Sequence, residues 1–313
     1  MHPIKHIHGA ALLTALFIMT LVAIVATAMT SRLQLDIYRT QMIVNQDKRF
    51  LASQAVTYWA LGQLMNPDNN FTKILKEGTV ANYPPSMQSL QKNVKITGGL
   101  YDLQAQFNLN NLKDSKAILT FINLLSKSLP KMNRAQSAQL GLALMNWVSN
   151  YDPSHGKDVY ASYYLTQKPP YYPSHQLMQS KSELRLIKDV SAAVYLSLEP
   201  LFTVLPKSTP ININTAPKEI LMSLGNGLTE QKISALLEER ATKEIVSPSD
   251  LNEIITKLDI PANQVTSKST YFLSTAMVTS DNLSLIVYTL MQRTFKKNNK
   301  ITVNILRLSF NGF

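Results

Sequence analysis

KHIHGAALLTALFIMTLVAIVATAMTSRLQLD, Lys5–Asp36, is the stretch on which the fold turns. A short basic head ends in Gly9. From Ala10 to Ser31 no residue is charged, and none is Gly or Pro; Arg32 is the first charge. As a helix this run is roughly 33 Å long at ~1.5 Å per residue, close to the ~30 Å hydrocarbon core of a bilayer. It is too long for the ~7–15-residue apolar region of a secretory signal peptide, and no clear small-residue cleavage site leads into a new domain. The adjoining stretch, RLQLDIYRTQMIVNQDKRFLASQAVTYWALGQLM, continues without Gly or Pro as far as Gly62. Leu33, Ile37, Val44, Leu51, Ala55 and Tyr58 recur at three-, four- or seven-residue steps, the pattern of an amphipathic helix. Pro67 ends it. The spacing predicts one helix from Ala10 to Met65, its first half in lipid and its second half on a soluble domain.

The remaining composition excludes more than it selects. The chain has 313 residues, room for two or three modest domains, and 45% of it is apolar, ordinary for a folded protein. Lys and Arg number 31 against 20 Asp and Glu, a net +11. Such a balance is compatible with nucleic acid, an anionic membrane or an acidic partner. The absence of Cys rules out disulfides, thiol catalysis and Cys-ligated zinc. The five His are scattered, three in the basic head and two in the middle of the chain. There is no Gly-rich phosphate loop and no nucleophile elbow, so the sequence makes no positive case for an enzyme.

Beyond the helix, 67–99 is polar and turn-rich, with NPDNN, YPPS and TGG, and reads as a loop with a short helical piece near Phe71–Lys76. GLYDLQAQFNLNNL alternates like a strand through Leu100, Leu103, Ala105, Phe107 and Leu109. A helical stretch broken near Pro130 comes next. Ser180 and Glu183 have capping-box spacing before two short helices and a strand. TPININTAPKEILMSLGNGLTEQKISALLEER opens a second helical unit, with Pro217 in the first turn of a helix, a tight turn at LGNG and a helix over Leu228–Arg240. A third helix is capped by Ser247 or Ser249. The chain ends in strands with turns at SDN and KKNNK. A helical block between the strands of one sheet implies an insertion into an α+β domain.

A basic leader ending in Gly, then an uncharged helix running into an amphipathic half, resembles the type IV prepilins and type II secretion pseudopilins. The resemblance implies that a prepilin peptidase cuts between Gly9 and Ala10 and methylates Ala10. An uncleaved single-pass anchor is the plainer alternative. Most members of that family carry Glu at the fifth mature position; here it is Thr14. In its missing Glu the chain is similar to the minor pseudopilin family called protein K. Six further segments resemble protein K in order: DLQAQFNLNNL, NWVSNYDP, ASYYLTQKPPYY, SKSELRLIKDV, TPININTAPKEIL and STYFLSTAMV. Together with the N-terminal features they span roughly Gly9 to Arg293.

The resemblance implies an α+β fold, with a pilin-like long N-terminal helix on an antiparallel sheet. A large inserted helical lobe would hold a helix-hairpin-helix (SAM-like) unit. It divides the chain into a leader (1–9), a membrane and assembly helix (10–66), a pilin-like domain (67–112 and 267–313), a first lobe segment (113–205) and the hairpin unit (206–266). It implies a subunit at the tip of the secretion pseudopilus that starts assembly and supports export of folded proteins. Its partners would be other minor pseudopilins, the major pseudopilin, the prepilin peptidase and the bacterial inner membrane. The anchor would be single-pass and the soluble domain periplasmic.

Three sites carry rival readings. The hairpin around LGNG resembles DNA-binding versions, whose turn N–H groups meet a phosphate. The alternative function is thus a membrane-anchored DNA receptor. Against it, Glu219, Glu230, Glu238 and Glu239 outnumber Lys218, Lys232 and Arg240, and no nucleic acid is expected. In relatives the loop NWVSNYDPSHGKDVYASYYL is richer in carboxylates and binds calcium. Calcium needs six to eight oxygens, several of them anionic. Asp152 and Asp158 remain here, with Asn146, Asn150 and Ser162 as neutral candidates. Tyr160 and Ala161 stand where relatives are acidic. The other reading is a loop held by Trp147, Tyr163 and Tyr164. Tyr160, Tyr163, Tyr164, Tyr171 and Tyr172 form either a contact surface or a cover on a core beside Pro169 and Pro170.

Overall fold

The computed structural model describes residues 8–75, 78–89, 93–280, 283–296 and 300–313, and of His8, Gly9 and His155 the backbone alone. Helix α1 spans His8–Met65 without interruption. It starts two residues before the expected Ala10. Met1–Ile7, most of the expected leader, lie outside the described residues, as do the centres of the SDN and KKNNK turns. The chain divides into two compact units, Met1–Ala52 and Ser53–Phe313.

The second unit is built on a five-stranded antiparallel sheet. Its strands are β1 (Ala81–Asn82), β2 (Lys95–Asp102), β7 (Tyr271–Ser280), β8 (Leu283–Phe295) and β9 (Ile301–Phe310), in spatial order β1-β2-β7-β8-β9. The last turns of α1 lie on one face. Ala60 and Leu64 pack there with Leu100, Phe272 and Met291. Gly98 makes the close approach possible: a Cβ there would lie 2.3 Å from Thr275 O and 2.9 Å from Val56 Cγ1. The TGG motif that reads as a turn is therefore strand, and β2 begins at Lys95, inside the segment expected to be loop. Residues 71–75 are not helical. Arg293 on β8, only 3% exposed, holds the end of α1 in place. Its Nη1 donates to Asn69 O at 2.8 Å and its Nη2 to Asn66 O at 2.8 Å. A cation at a helix C-terminus also meets the negative end of the helix dipole.

Everything between β2 and β7 forms the helical lobe. It contains two parallel two-residue pairs, β3 (Phe107–Asn108) with β4 (Phe202–Thr203) and β5 (Ile211–Asn212) with β6 (Val265–Thr266). The helices are α2 (Ala117–Ser128), α3 (Arg134–Val148), α4 (Ala161–Leu165), α5 (Ala192–Leu198), α6 (Lys218–Met222), α7 (Glu230–Thr242) and α8 (Pro248–Leu258). The expected break near Pro130 falls between α2 and α3. Asn133 and Gln136 form a capping box at α3, Ser180 and Glu183 one at the 3₁₀ turn Lys181–Leu186, and Ser247 caps α8. Pro217 sits one residue ahead of α6, at its cap. One core runs through the lobe, centred on Phe107, Phe121, Phe202, Trp147 and Tyr164.

The expected strand across 100–109 stops at Asp102, because the asparagines beyond it turn inward. Asn108 Nδ2 donates to Lys207 O at 2.8 Å, and Asn110 Nδ2 to Met178 O at 3.0 Å and Leu205 O at 2.9 Å. These amides satisfy loop backbone that no ladder reaches. Asn214 does the same for Ile245 and Ser267.

Asp102 is the knot of this network. It accepts from Gln104 N (2.9 Å), Asn212 Nδ2 (2.9 Å), Thr215 Oγ1 (2.5 Å) and Ser269 Oγ (2.7 Å). Sheet, lobe entry, lobe interior and lobe exit meet on one carboxyl. Burial pushes its pKa above the usual carboxylate range, with the four donors pulling against that rise. A folded-state pKa above the unfolded one gives stability that is full below the unfolded value and is lost as pH rises through the folded value. Asp102→Ala is expected to cost at least about 3 kcal/mol by orphaning buried donors, read by urea unfolding of the full chain in detergent. Asp102→Asn is expected to unfold with no pH slope from this site. Unchanged stability in Asp102→Ala would show that the carboxyl does not hold lobe to sheet.

Candidate functional site

The first surface is the N-terminal half of α1. Side chains from Leu12 to Met29 stand open to the surroundings: Leu12 is 74% exposed, Phe17 67% and Met19 74%. The helix is long and apolar enough to cross a membrane, with a mean hydropathy of 2.5 over its most apolar window. Its threonine side chains are satisfied within it. Thr14 Oγ1 donates to Ala11 O at 2.9 Å, and Thr20, Thr27 and Thr30 bond back to the preceding turn in the same way. A hydroxyl so paired is tolerable in hydrocarbon, whereas a carboxylate there needs a partner.

The second is the hairpin of α6 and α7. Three of the turn's N–H groups are already used. Gly225 N donates to Gln264 Oε1 at 2.8 Å, Gly227 N to Leu224 O at 3.0 Å and Leu228 N to Met222 O at 2.9 Å. Asn123 of α2 packs against Gly227. Cations of the unit pair with its own acids: Lys218 with Glu230, and Lys257 with Glu239 at 3.0 Å. Arg240 turns inward to Ile213 O and Ala216 O. This geometry is that of a packing unit.

The third is a cleft of about 560 Å³ beside the end of α3, lined by Asn146, Ser149, Asn150, Asp152, Asp158 and His175 among others. The sequence pattern thus brings both carboxylates and two of the neutral candidates to one place; Ser162 is not in the lining. Asp158, with a side chain 7% exposed, accepts at Oδ1 from Asn146 Nδ2 (3.0 Å) and Tyr160 N (2.9 Å). Its Oδ2 lies 3.2 Å from His175 Nε2, a close contact without the alignment of a hydrogen bond. Asp152 Oδ1 accepts from Ser154 N. Calcium does not fit this donor set as it stands: one carboxylate is approached on both oxygens, and three acidic or imidazole groups nowhere converge as a cage among the described residues. His175 was not legible in the sequence, since an isolated His has no spacing to betray it.

The tyrosines divide. Tyr164 is fully buried against Trp147, with ring centroids 5.5 Å apart, and burial pushes its pKa up to about 12. Tyr160, Tyr163 and Tyr171 pack on the same core, and Tyr172 is 70% exposed. The group covers a core.

A long helix laid at its end on an antiparallel sheet, with an apolar first half, defines a pilin-like subunit; here a helical lobe is inserted between neighbouring strands. Two family models, both described as type II secretion system (T2SS), protein K, match residues 105–207 and 211–269, together just over half of the chain. The chain belongs to the protein K family of the type II secretion system, a family of minor pseudopilins. Among its relatives, type II secretion system protein K of Aeromonas hydrophila is 29% identical over 234 residues, covering 67% of this chain and 68% of that protein. The Pseudomonas aeruginosa protein K is 24% identical, covering 95% and 91%. A chain of the crystal structure of the GspK–GspI–GspJ complex from enterotoxigenic Escherichia coli shares the fold, with a TM-score of 0.63 at 20% identity. The match covers 88% of this chain and 100% of that one.

Full-length protein mixed with duplex DNA at physiological salt is expected to show only the weak, salt-sensitive retention of a basic protein. A sub-micromolar complex under those conditions would reverse the reading of the hairpin.

Proposed function

We propose that this minor pseudopilin sits at the tip of the type II secretion pseudopilus, where it starts assembly and supports export of folded proteins across the outer membrane. The peptidase cuts between Gly9 and Ala10 and methylates Ala10. The retained helix anchors the subunit once in the bacterial inner membrane, with its soluble part in the periplasm, and later packs in the filament. Its partners are two other minor pseudopilins, of the kind seen in the GspK–GspI–GspJ complex, with the major pseudopilin below. The chain has no catalysis of its own and is a substrate of the peptidase.

Thr14 is the observation that carries the tip position. At the place where shaft subunits hold a Glu for a neighbour's amine, this chain has a hydroxyl already satisfied within its own helix. A subunit with nothing stacked above it needs no acid there. The lobe adds support, because its bulk leaves little room for a further subunit.

Mass spectrometry of protein from native membranes is expected to find a methylated Ala10 as first residue. An intact Met1, or a cut beyond Ser31, would end the pseudopilin processing scheme. Thr14→Glu is expected to bring no gain in secretion, and an unpaired charge central in the membrane costs about 2.5–3.5 kcal/mol on insertion scales, less near its edge. Site-specific crosslinking is expected to find the wild-type subunit at one filament end. Crosslinks spread along the shaft would refute the tip assignment.

A further inference from the structure

The cleft beside α3 has a feature that a loosely held loop lacks. His175 has a backbone φ of 50°, in the left-handed region that a non-glycine residue occupies only when its surroundings require it. The neighbouring backbone is fixed, since Gln176 N donates to Trp147 O at 3.2 Å. From this position the ring reaches across the cleft. Nε2 lies 3.2 Å from Asp158 Oδ2 and Nδ1 lies 3.3 Å from Ser149 O. The ring packs against Tyr151, tilted by 36° at a centroid separation of 5.3 Å, and Tyr151 Oη in turn donates to Gly156 O at 3.0 Å. The imidazole therefore touches the end of α3, the loop after it and the carboxylate that ends that loop. Carboxylate oxygens and backbone carbonyls are the atoms that a hard divalent cation gathers when it closes a loop. Asn146 Oδ1 and Asp158 Oδ2 are buried without an aligned donor, and the His175 ring is the group that faces Asp158 Oδ2.

We propose that His175 closes the loop 149–158 in place of a divalent cation, its ring spanning Asp158 and the Ser149 carbonyl. It is a positioning residue: it holds this face of the lobe in shape and makes the lobe independent of calcium. The role of His175 depends on the geometry of the loop and not on the place of the subunit in secretion. Its failure would leave cleavage after Gly9 untouched.

Hydrogen exchange of the full chain in detergent tests it, with amides from Ser154 to Tyr160 as the readout. Wild-type exchange is expected to be the same in millimolar calcium and in chelator. His175→Ala is expected to exchange roughly tenfold faster there, with no response to calcium. His175→Asp places a third carboxylate in the cleft, against Asp158. It is expected to exchange fast in chelator and to slow several-fold in millimolar calcium, since binding to the closed form stabilises it. That comparison sets one protein against itself, so partial unfolding of the Ala variant cannot hide the answer. Wild-type protection that rises with calcium, unchanged exchange in His175→Ala, or a His175→Asp chain indifferent to calcium would each overturn the proposal.

Discussion

One buried carboxyl decides how the lobe sits on the sheet. Asp102 ends β2, where the chain leaves the sheet, and Ser269 stands just ahead of β7, where the chain returns. Asn212 and Thr215 reach the same carboxyl from the middle of the insertion. Beyond this knot, lobe and sheet meet through apolar contacts around Leu103 and Leu205 and through the hydrogen bond from Arg307 of β9 to Gln179 O. Through the knot, lobe and sheet share a polar network in which each of these donors has a partner. Such networks specify a single arrangement because any other leaves buried groups unpaired. Gln104 extends the lock, taking hydrogen bonds from Thr270 and Tyr271 and giving one to Pro210 O.

Periodic features were the legible part of the fold. The uncharged run and the stripe beyond it define α1 from sequence alone, because lipid and core both select apolar side chains at helical spacing. Capping residues at Ser180 and Ser247 mark helical starts, since a side-chain oxygen there has a local task. The polar lattice was not legible. FNLNNL and ININT look like alternating strands, but their asparagines face inward and serve backbone groups as many as 99 positions away. Nothing local in a sequence reports a long-range partner. The glycines of TGG misled for a related reason: they answer to the crowding of α1 on the sheet and not to a turn.

The sites follow the same division. The roles proposed for Gly9, Ala10 and Thr14 rest on their positions along one helix. Asp152 and Asp158 could be placed in one loop, but the groups around Asp158 include Asn146 of α3 and His175. The chemistry of that carboxylate therefore depends on a contact that only the fold creates. The hairpin gives the clearest contrast. Its sequence is compatible with phosphate binding, and the hydrogen bonds of Gly225, Gly227 and Leu228 commit the same turn to internal packing.

The insertion also fixes an order of events during biogenesis. β2 and β7 are neighbours in the sheet, yet Asp102 and Ser269 are 167 positions apart in the chain. A nascent chain has its anchor and β2 long before β7 exists to pair with it. The lobe, whose contacts are more local, can collapse first and bring the two strands together. Until then β2 presents an unpaired edge of backbone groups to any extended strand nearby. Maturation of such a subunit is therefore a race between closure of its own sheet and pairing with foreign strands. A compact, self-contained insertion shortens the window in which that race is run.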